Sequence, residues 1–232
     1  MKRAILFAAI TSAGAGCTPV DSNVVATSQL RADVQVLSTG EPSSTVYAWL
    51  FSHKAGDPPL NLETIRLVDD DAITAISNGS SIAMHESDLV VEYRYDATFP
   101  TAEPEQNYEI ALARPADTSA PHSYVTLPDP FTLTMPTTAS RAAPLTITWS
   151  PGGSDQISID VTGCASAHLG PLPDTGTATV PAGAVVADPT NATCDLAFDV
   201  SRTRTGTLDR AYGQGGSIVA IQRRTATITS TP

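Results

Sequence analysis

Leu30-Arg31-Ala32-Asp33-Val34-Gln35-Val36 decides the fold class. Apolar Leu30, Ala32, Val34 and Val36 alternate with polar Arg31, Asp33 and Gln35, a period of two rather than 3.6. Successive side chains of a strand point to opposite faces, so this spacing predicts one buried and one wet face, the mark of antiparallel sheet. The pattern recurs outward along the chain. Leu89, Val91, Tyr93 and Tyr95 alternate with Asp88, Glu92 and Arg94, with Val90 as the exception, and Tyr108, Ile110 and Leu112 make a third face. Gly, Pro, Asn and Asp punctuate the runs at Thr39-Gly40-Glu41-Pro42, Gly56-Asp57-Pro58-Pro59, Asn78-Gly79 and Phe99-Pro100. Beyond the first 16 residues no helical stripe exceeds two turns.

A seam stands at Leu127-Pro128-Asp129-Pro130. Residues 18–128 hold 16 acidic and 5 basic side chains, a balance of −11, and residues 130–232 hold 7 and 6, a balance of −1. Past the seam the strand pattern restarts with Phe131, Leu133 and Met135, then Leu145, Ile147 and Trp149, then Ile157, Ile159 and Val161. Leu196, Phe198 and Val200 follow, and Ile218 to Ile228 closes the chain. Two stretches of this length with repeated short strands predict an all-β protein of two tandem antiparallel β-sandwich domains, 29–128 and 129–232. The net charge of −11 over 232 residues repels nucleic acid and anionic lipid, which sets phosphate-tracking functions aside.

The N-terminus carries an address. Met1-Lys2-Arg3 is a short positive region, Ala4–Ile10 is apolar, and Ser12-Ala13-Gly14-Ala15-Gly16 is small. The apolar run is far below the roughly 20 residues of a spanning helix, so residues 1–16 read as a removable export signal. Ala13-Gly14-Ala15 fits cleavage after Ala15, which would free a periplasmic or extracellular protein. Gly14-Ala15-Gly16-Cys17 resembles the lipobox of bacterial lipoproteins, with Gly14 where that pattern prefers Leu or Val. The resemblance implies lipidation of Cys17 and, with Thr18 rather than Asp next, anchoring in the outer membrane. Residues 17–28, small and polar, read as a tether. With Cys17 used by lipid, Cys164 and Cys194 remain as a pair for a disulfide in an oxidising compartment.

Leu145-Thr146-Ile147-Thr148-Trp149-Ser150-Pro151, followed by Gln156-Ile157-Ser158-Ile159-Asp160-Val161, resembles the first half of a fibronectin type III or Ig-like module. Gly176-Thr177-Ala178-Thr179-Val180-Pro181-Ala182 is similar to segments of exported bacterial Ig-like lipoproteins. The likeness covers about half of the second segment. It implies a fold and a location rather than a reaction, and in an Ig-like order the strands carrying Cys164 and Cys194 can be neighbours.

Several motifs have two readings. Asp174-Thr175-Gly176 matches the tripeptide of aspartic proteases, but that chemistry needs two carboxylates and the sequence holds no second copy; Pro173-Asp174-Thr175-Gly176 is ordinary turn chemistry. Leu172-Pro173-Asp174-Thr175-Gly176 resembles a sortase signal without the apolar tail that must follow it. Asp69-Asp70-Asp71 offers oxygens to calcium without the EF-hand spacing, so a solvated turn competes with it. His53, His85, His122 and His168 are scattered, without zinc spacing. Tyr47, Trp49 and Phe51 share one strand face and form either a ligand-gripping strip or part of the sandwich core, the core being favoured; Trp149 is read as core as well. Asn78-Gly79-Ser80 and Asn191-Ala192-Thr193 fit the N-glycosylation pattern, which carries little weight in a bacterial envelope.

No phosphate loop, serine elbow or dinucleotide fingerprint occurs, and no cofactor is expected. The sequence therefore predicts a non-catalytic envelope lipoprotein, a structural or interaction module whose partners are the membrane, through its lipid, and an envelope protein or glycan. The alternative is an exported carbohydrate-binding protein or hydrolase that uses the aromatic strip or the domain seam.

Overall fold

The computed structural model describes residues 19–53, 62–89, 92–184 and 193–232. Residues 1–16, the expected export signal, and Cys17 lie outside the described residues. Within them the secondary structure is all β apart from two 3-10 turns, Ser22–Val24 and Thr27–Gln29, and no helix is long and apolar enough to cross a membrane. Up to the seam the strands are β1 (Val20–Asp21), β2 (Leu30–Ser38), β3 (Ser44–His53), β4 (Leu62–Arg66), β5 (Ala72–Ser77), β6 (Ser80–Ala83), β7 (His85–Leu89), β8 (Glu92–Phe99), β9 (Asn107–Ala113) and β10 (Ala120–Thr126). Beyond it run β11 (Leu133–Thr134), β12 (Thr138–Ser140), β13 (Leu145–Trp149), β14 (Gln156–Gly163), β15 (Ala167–Pro173), β16 (Thr177–Val180), β17 (Cys194–Thr205) and β18 (Gly216–Thr231).

Local chemistry accounts for most of these boundaries. In β2 buried and half-buried residues alternate without a break, as the Leu30–Val36 pattern requires. Asn78 and Gly79 both take positive φ, 47° and 75°, and join β5 to β6 with Ser77 opposite Ser80; a two-residue turn of this kind matches the right-handed twist of its strands. The expected single strand from Leu89 to Tyr95 is instead divided. Leu89 ends β7 and pairs with Glu92 at the start of β8, and the buried face of β8 is Tyr95, Ala97 and Phe99.

Two hydrophobic cores form. The first packs β2, β3 and β8 against the sheet β10-β9-β5-β6, with Leu30, Val36, Val46, Leu50, Tyr108, Ile110 and Leu112 almost fully buried. The second packs β14 and β17 against β11-β13-β16, around Ile147, Trp149, Ile157, Ile159, Phe198 and Val200. Trp149 is a core residue, as expected.

The chain crosses between the cores more than once. Leu127 belongs to the first and Phe131 to the second. After β17, however, the chain returns to the first core, which includes Tyr212, Ile218 and Ala220. Gly216–Gln222 of β18 pairs in parallel with Ala32–Ser38 of β2, while Thr225–Ser230 of the same strand pairs with β17 beside the second core. One 11-stranded sheet therefore runs through both halves. Sixteen residues at about 3.3 Å each make β18 roughly 50 Å long. Two glycines mark the excursion. A Cβ on Gly206 would sit 2.1 Å from the carbonyl oxygen of Tyr124, and one on Gly216 1.9 Å from that of Ala32, so neither backbone could approach so closely with a side chain.

Three expectations change. The first core draws on residues beyond 29–128. The sheets are not wholly antiparallel, because β1–β4, β12–β18 and β2–β18 are parallel. The described part of the 17–28 tether is folded: β1 pairs with β4, and Ser22 and Thr27 are completely buried. These small polar residues turn inward because the Arg114 guanidinium takes their oxygens. Its Nη2 donates to the Ser22 carbonyl at 2.5 Å and its Nη1 to Thr27 Oγ1 at 2.9 Å.

Two arginines of β17 fasten the seam. Arg202, 1% exposed, pairs with Asp174 at 2.7 Å and donates to the carbonyls of Asp129 and Ser150 at 2.8 and 2.5 Å. Arg204 grips Asp155 with two bonds and reaches Glu105, on the far side of the seam, at 2.6 Å.

Candidate interaction surface

β3 is apolar on both faces, and its neighbours decide which face goes inside. Val46, Ala48 and Leu50 are the buried set, at 0, 0 and 1% exposure. They face the second sheet of the first sandwich, which leaves Tyr47, Trp49 and Phe51 half-buried on the outer face of the large sheet. The aromatic strip is therefore not sandwich core. Alternation alone could not resolve this, because both registers of the strand offer a hydrophobic face.

The strip has a polar border. Tyr47 lies opposite Gln35 of β2 and Asp96 of β8, and Trp49 lies opposite Asp33. The Tyr47 and Trp49 rings are 6.1 Å apart at 37°. The Arg94 guanidinium sits 4.5 Å above the Tyr47 ring, within cation–π range. Asp33 is held by Arg31 at 2.8 Å and by Ser217 Oγ at 2.8 Å, which ties β3's neighbour to β18. The indole Nε1 of Trp49 and Nε of Arg94 are buried atoms without a hydrogen-bond partner among the described residues. The arrangement combines aromatic area, polarised donors and a rim of paired charges.

The other predicted sites resolve in different ways. Cys164 and Cys194 form a disulfide with Cα atoms 6.1 Å apart, bridging β14 and β17, which are adjacent and antiparallel. Asp69, Asp70 and Asp71 do not converge. Asp71 is bound by Arg114 at 2.9 Å, and Asp69 accepts from Asn23 Nδ2 at 3.0 Å. Among the described residues only Asp71 of the three is paired with a cationic side chain, and no group of three or more His, Cys, Asp or Glu is placed to hold a metal. His122 and His168 each face a single carboxylate, Glu109 and Asp160. Asp174 is wholly enclosed. It accepts from Trp149 Nε1 at 2.6 Å, from Gly152 N at 3.0 Å and from Arg202.

Sequence reasoning missed Arg94, Arg114 and a cluster on β10. Tyr124 is 45% exposed, donates to Glu109 Oε1 at 2.9 Å and stacks beside His122 with ring centroids 5.9 Å apart. The hydrogen bond to Glu109 holds the Tyr124 phenol above its usual pKa. The signal was present: Ser123, Val125 and Leu127 alternate as the inward set, which puts His122, Tyr124 and Thr126 outside.

No protein-family model matches the chain, and no curated protein does. Among solved structures it is similar over 92% of its length to the FN1–FN3 domains of chicken CNTN1, at 10% identity and TM-score 0.26, covering 68% of that chain. The Yersinia pseudotuberculosis adhesin InvE matches over 88% at 10% identity and TM-score 0.23. Bacteroides ovatus SGBP-B, solved in complex with a mixed-linkage heptasaccharide, matches over 88% at 11% identity and TM-score 0.22. The chain spans 59% of the Yersinia protein and 60% of the Bacteroides protein. At these TM-scores the sandwich assignment rests on the sheets themselves.

Proposed function

We propose that the chain is an exported, non-catalytic interaction module of the cell envelope, held to the outer membrane by lipid on Cys17, and that it grips an envelope protein through the Tyr47–Trp49–Phe51 strip. The observation that carries this reading is the direction of the strip. A half-exposed aromatic row stands on a sheet whose other face already has a complete core, so its area serves something outside the sandwich. Tyr, Trp and Arg are the residues that anchor protein interfaces, and all three types meet here. The acidic balance of residues 18–128 favours a basic partner and speeds encounter at low salt.

The export signal and the paired cysteines support the location. Replacing Cys17 with Ser should move the protein from membranes to the soluble fraction; a variant that stays bound, or an intact mass beginning at Gly16 without lipid, refutes the anchor. The strip is tested by capture from envelope extract. Trp49→Ala should weaken capture of the partner by roughly thirtyfold, a hot-spot loss of about 2 kcal/mol. Unchanged capture by a folded Trp49→Ala/Tyr47→Ala variant removes the strip from the interface.

A further inference from the structure

The opposite face of the first sandwich carries a second arrangement that is independent of the aromatic strip. A shallow groove of about 410 Å³ runs beside Tyr124, lined by Ile76, Asn78, Asn107 and Glu109. The sheet register builds it. Tyr124 of β10 lies opposite Glu109 of β9, which lies opposite Ile76 of β5. Asn78, in the β5–β6 turn, lines it as well.

The polar groups around the groove are only partly used. Glu109 Oε1 takes the Tyr124 hydroxyl at 2.9 Å and faces His122 Nδ1 at 3.1 Å, while its second oxygen makes no hydrogen bond among the described residues. Asn107 Oδ1 accepts from Thr126 Oγ1 at 2.6 Å, leaving its two N–H donors unspent. The Asn78 carboxamide, exposed at the turn, is unspent as well. Two carboxamides, a carboxylate oxygen and an exposed phenol ring therefore rim a groove with an apolar floor at Ile76.

This combination selects a ligand class. A hexopyranose has one C–H face suited to an aromatic ring and a circumference of hydroxyls that each need a donor and an acceptor. Carboxamides and carboxylates supply both, in planar pairs. The Glu109 carboxylate and the surrounding negative field oppose anions, so uronic acids and phosphorylated sugars are disfavoured. An apolar peptide anchor would find no closed pocket here. We infer that this groove binds a neutral hexose oligosaccharide, with Tyr124 as the stacking platform and Asn78, Asn107 and Glu109 as the hydroxyl-reading groups.

The inference is tested by backbone-amide NMR of the protein titrated separately with cellohexaose, maltohexaose, mannohexaose and an oligogalacturonate. At least one neutral hexasaccharide should shift the amides of Asn78, Asn107, Glu109 and Tyr124, and the oligogalacturonate should bind several-fold more weakly. Tyr124→Leu should reduce affinity roughly tenfold through loss of the aromatic platform. It should not unfold the sheet, because Tyr124 is joined to Thr207 by its backbone N and O, and the spectrum itself reports whether the fold survives. Glu109→Gln gives a second, milder probe, with a several-fold loss. Trp49→Ala should leave saccharide binding unchanged, so this site and the protein-binding strip fail separately. Absence of shifts at the groove with all three neutral probes overturns the inference. So does tighter binding of the oligogalacturonate, or saccharide affinity that is indifferent to both Tyr124→Leu and Glu109→Gln.

Discussion

The two cores differ in how the chain supplies them. Every buried member of the second core lies between Phe131 and Ile228. The first core is assembled from Leu30–Leu127 and from Tyr212, Ile218 and Ala220, which follow every buried member of the second core except Ile228. Similar β-sandwich chemistry is thus used once in a nearly self-sufficient way and once with a borrowed central strand. Without Gly216–Gln222, β2 would be left as an unpaired edge and its buried face partly uncovered, a liability that sheets otherwise avoid.

Cutting the chain near Asp129 should have the largest effect. A fragment of residues 129–232 should retain a cooperative thermal transition, and a fragment of 19–128 should show none. Two cooperative fragments would mean that the first sandwich does not need β18. Second in size is the Arg202 node. Asp174→Ala leaves a guanidinium buried without its counter-charge, at a cost of about 3–5 kcal/mol, which denaturant titration would read as a large fall in the second sandwich's midpoint. A loss under about 1 kcal/mol would show that water or carbonyls replace Asp174. Third, Cys164→Ser/Cys194→Ser opens a link of 30 residues and should lower stability by about 3–4 kcal/mol in the chain-entropy model, with the first sandwich losing less than the second.

The smallest effect concerns the exposed bridge between the halves. The hydrogen bond from Arg204 holds the Glu105 carboxyl below its ordinary pKa. A depressed acid contributes stability above its unfolded pKa, and the contribution is lost as pH falls through the folded value. Glu105 is half-exposed in this pair, so the bridge is worth about 0.2–1 kcal/mol at most. The stability gap between wild type and Glu105→Gln should be present at pH 7 and vanish below the ordinary glutamate range. A gap that persists in strong acid would assign it to packing instead.

Period-two patterns made the all-β class, most strands and the Asn78-Gly79 turn legible, because each is a local consequence of side-chain direction or backbone φ. The cysteine pair was legible from compartment and count. What stayed hidden is non-local. The parallel pairing of β2 with β18 joins residues some 180 positions apart and leaves no mark in either strand. The direction of the Tyr47–Phe51 strip depends on which of two apolar faces meets the second sheet. Residues 20–28 look like a polar linker until Arg114, far along the chain, turns their oxygens inward.

The shared strand also sets an order of events. A polypeptide emerges with its N-terminus first, and domains generally fold as units once they are available. Here the first sandwich cannot close when residue 128 appears; β2 must wait, unzipped on one side, until Gly216–Gln222 arrives. The second sandwich and its cysteine pair are nearly all present by then. Residues made after β17 finish the first sandwich, so a ribosome or translocase that stalls near residue 205 would release a chain with most of its second sandwich present and its first sandwich still open.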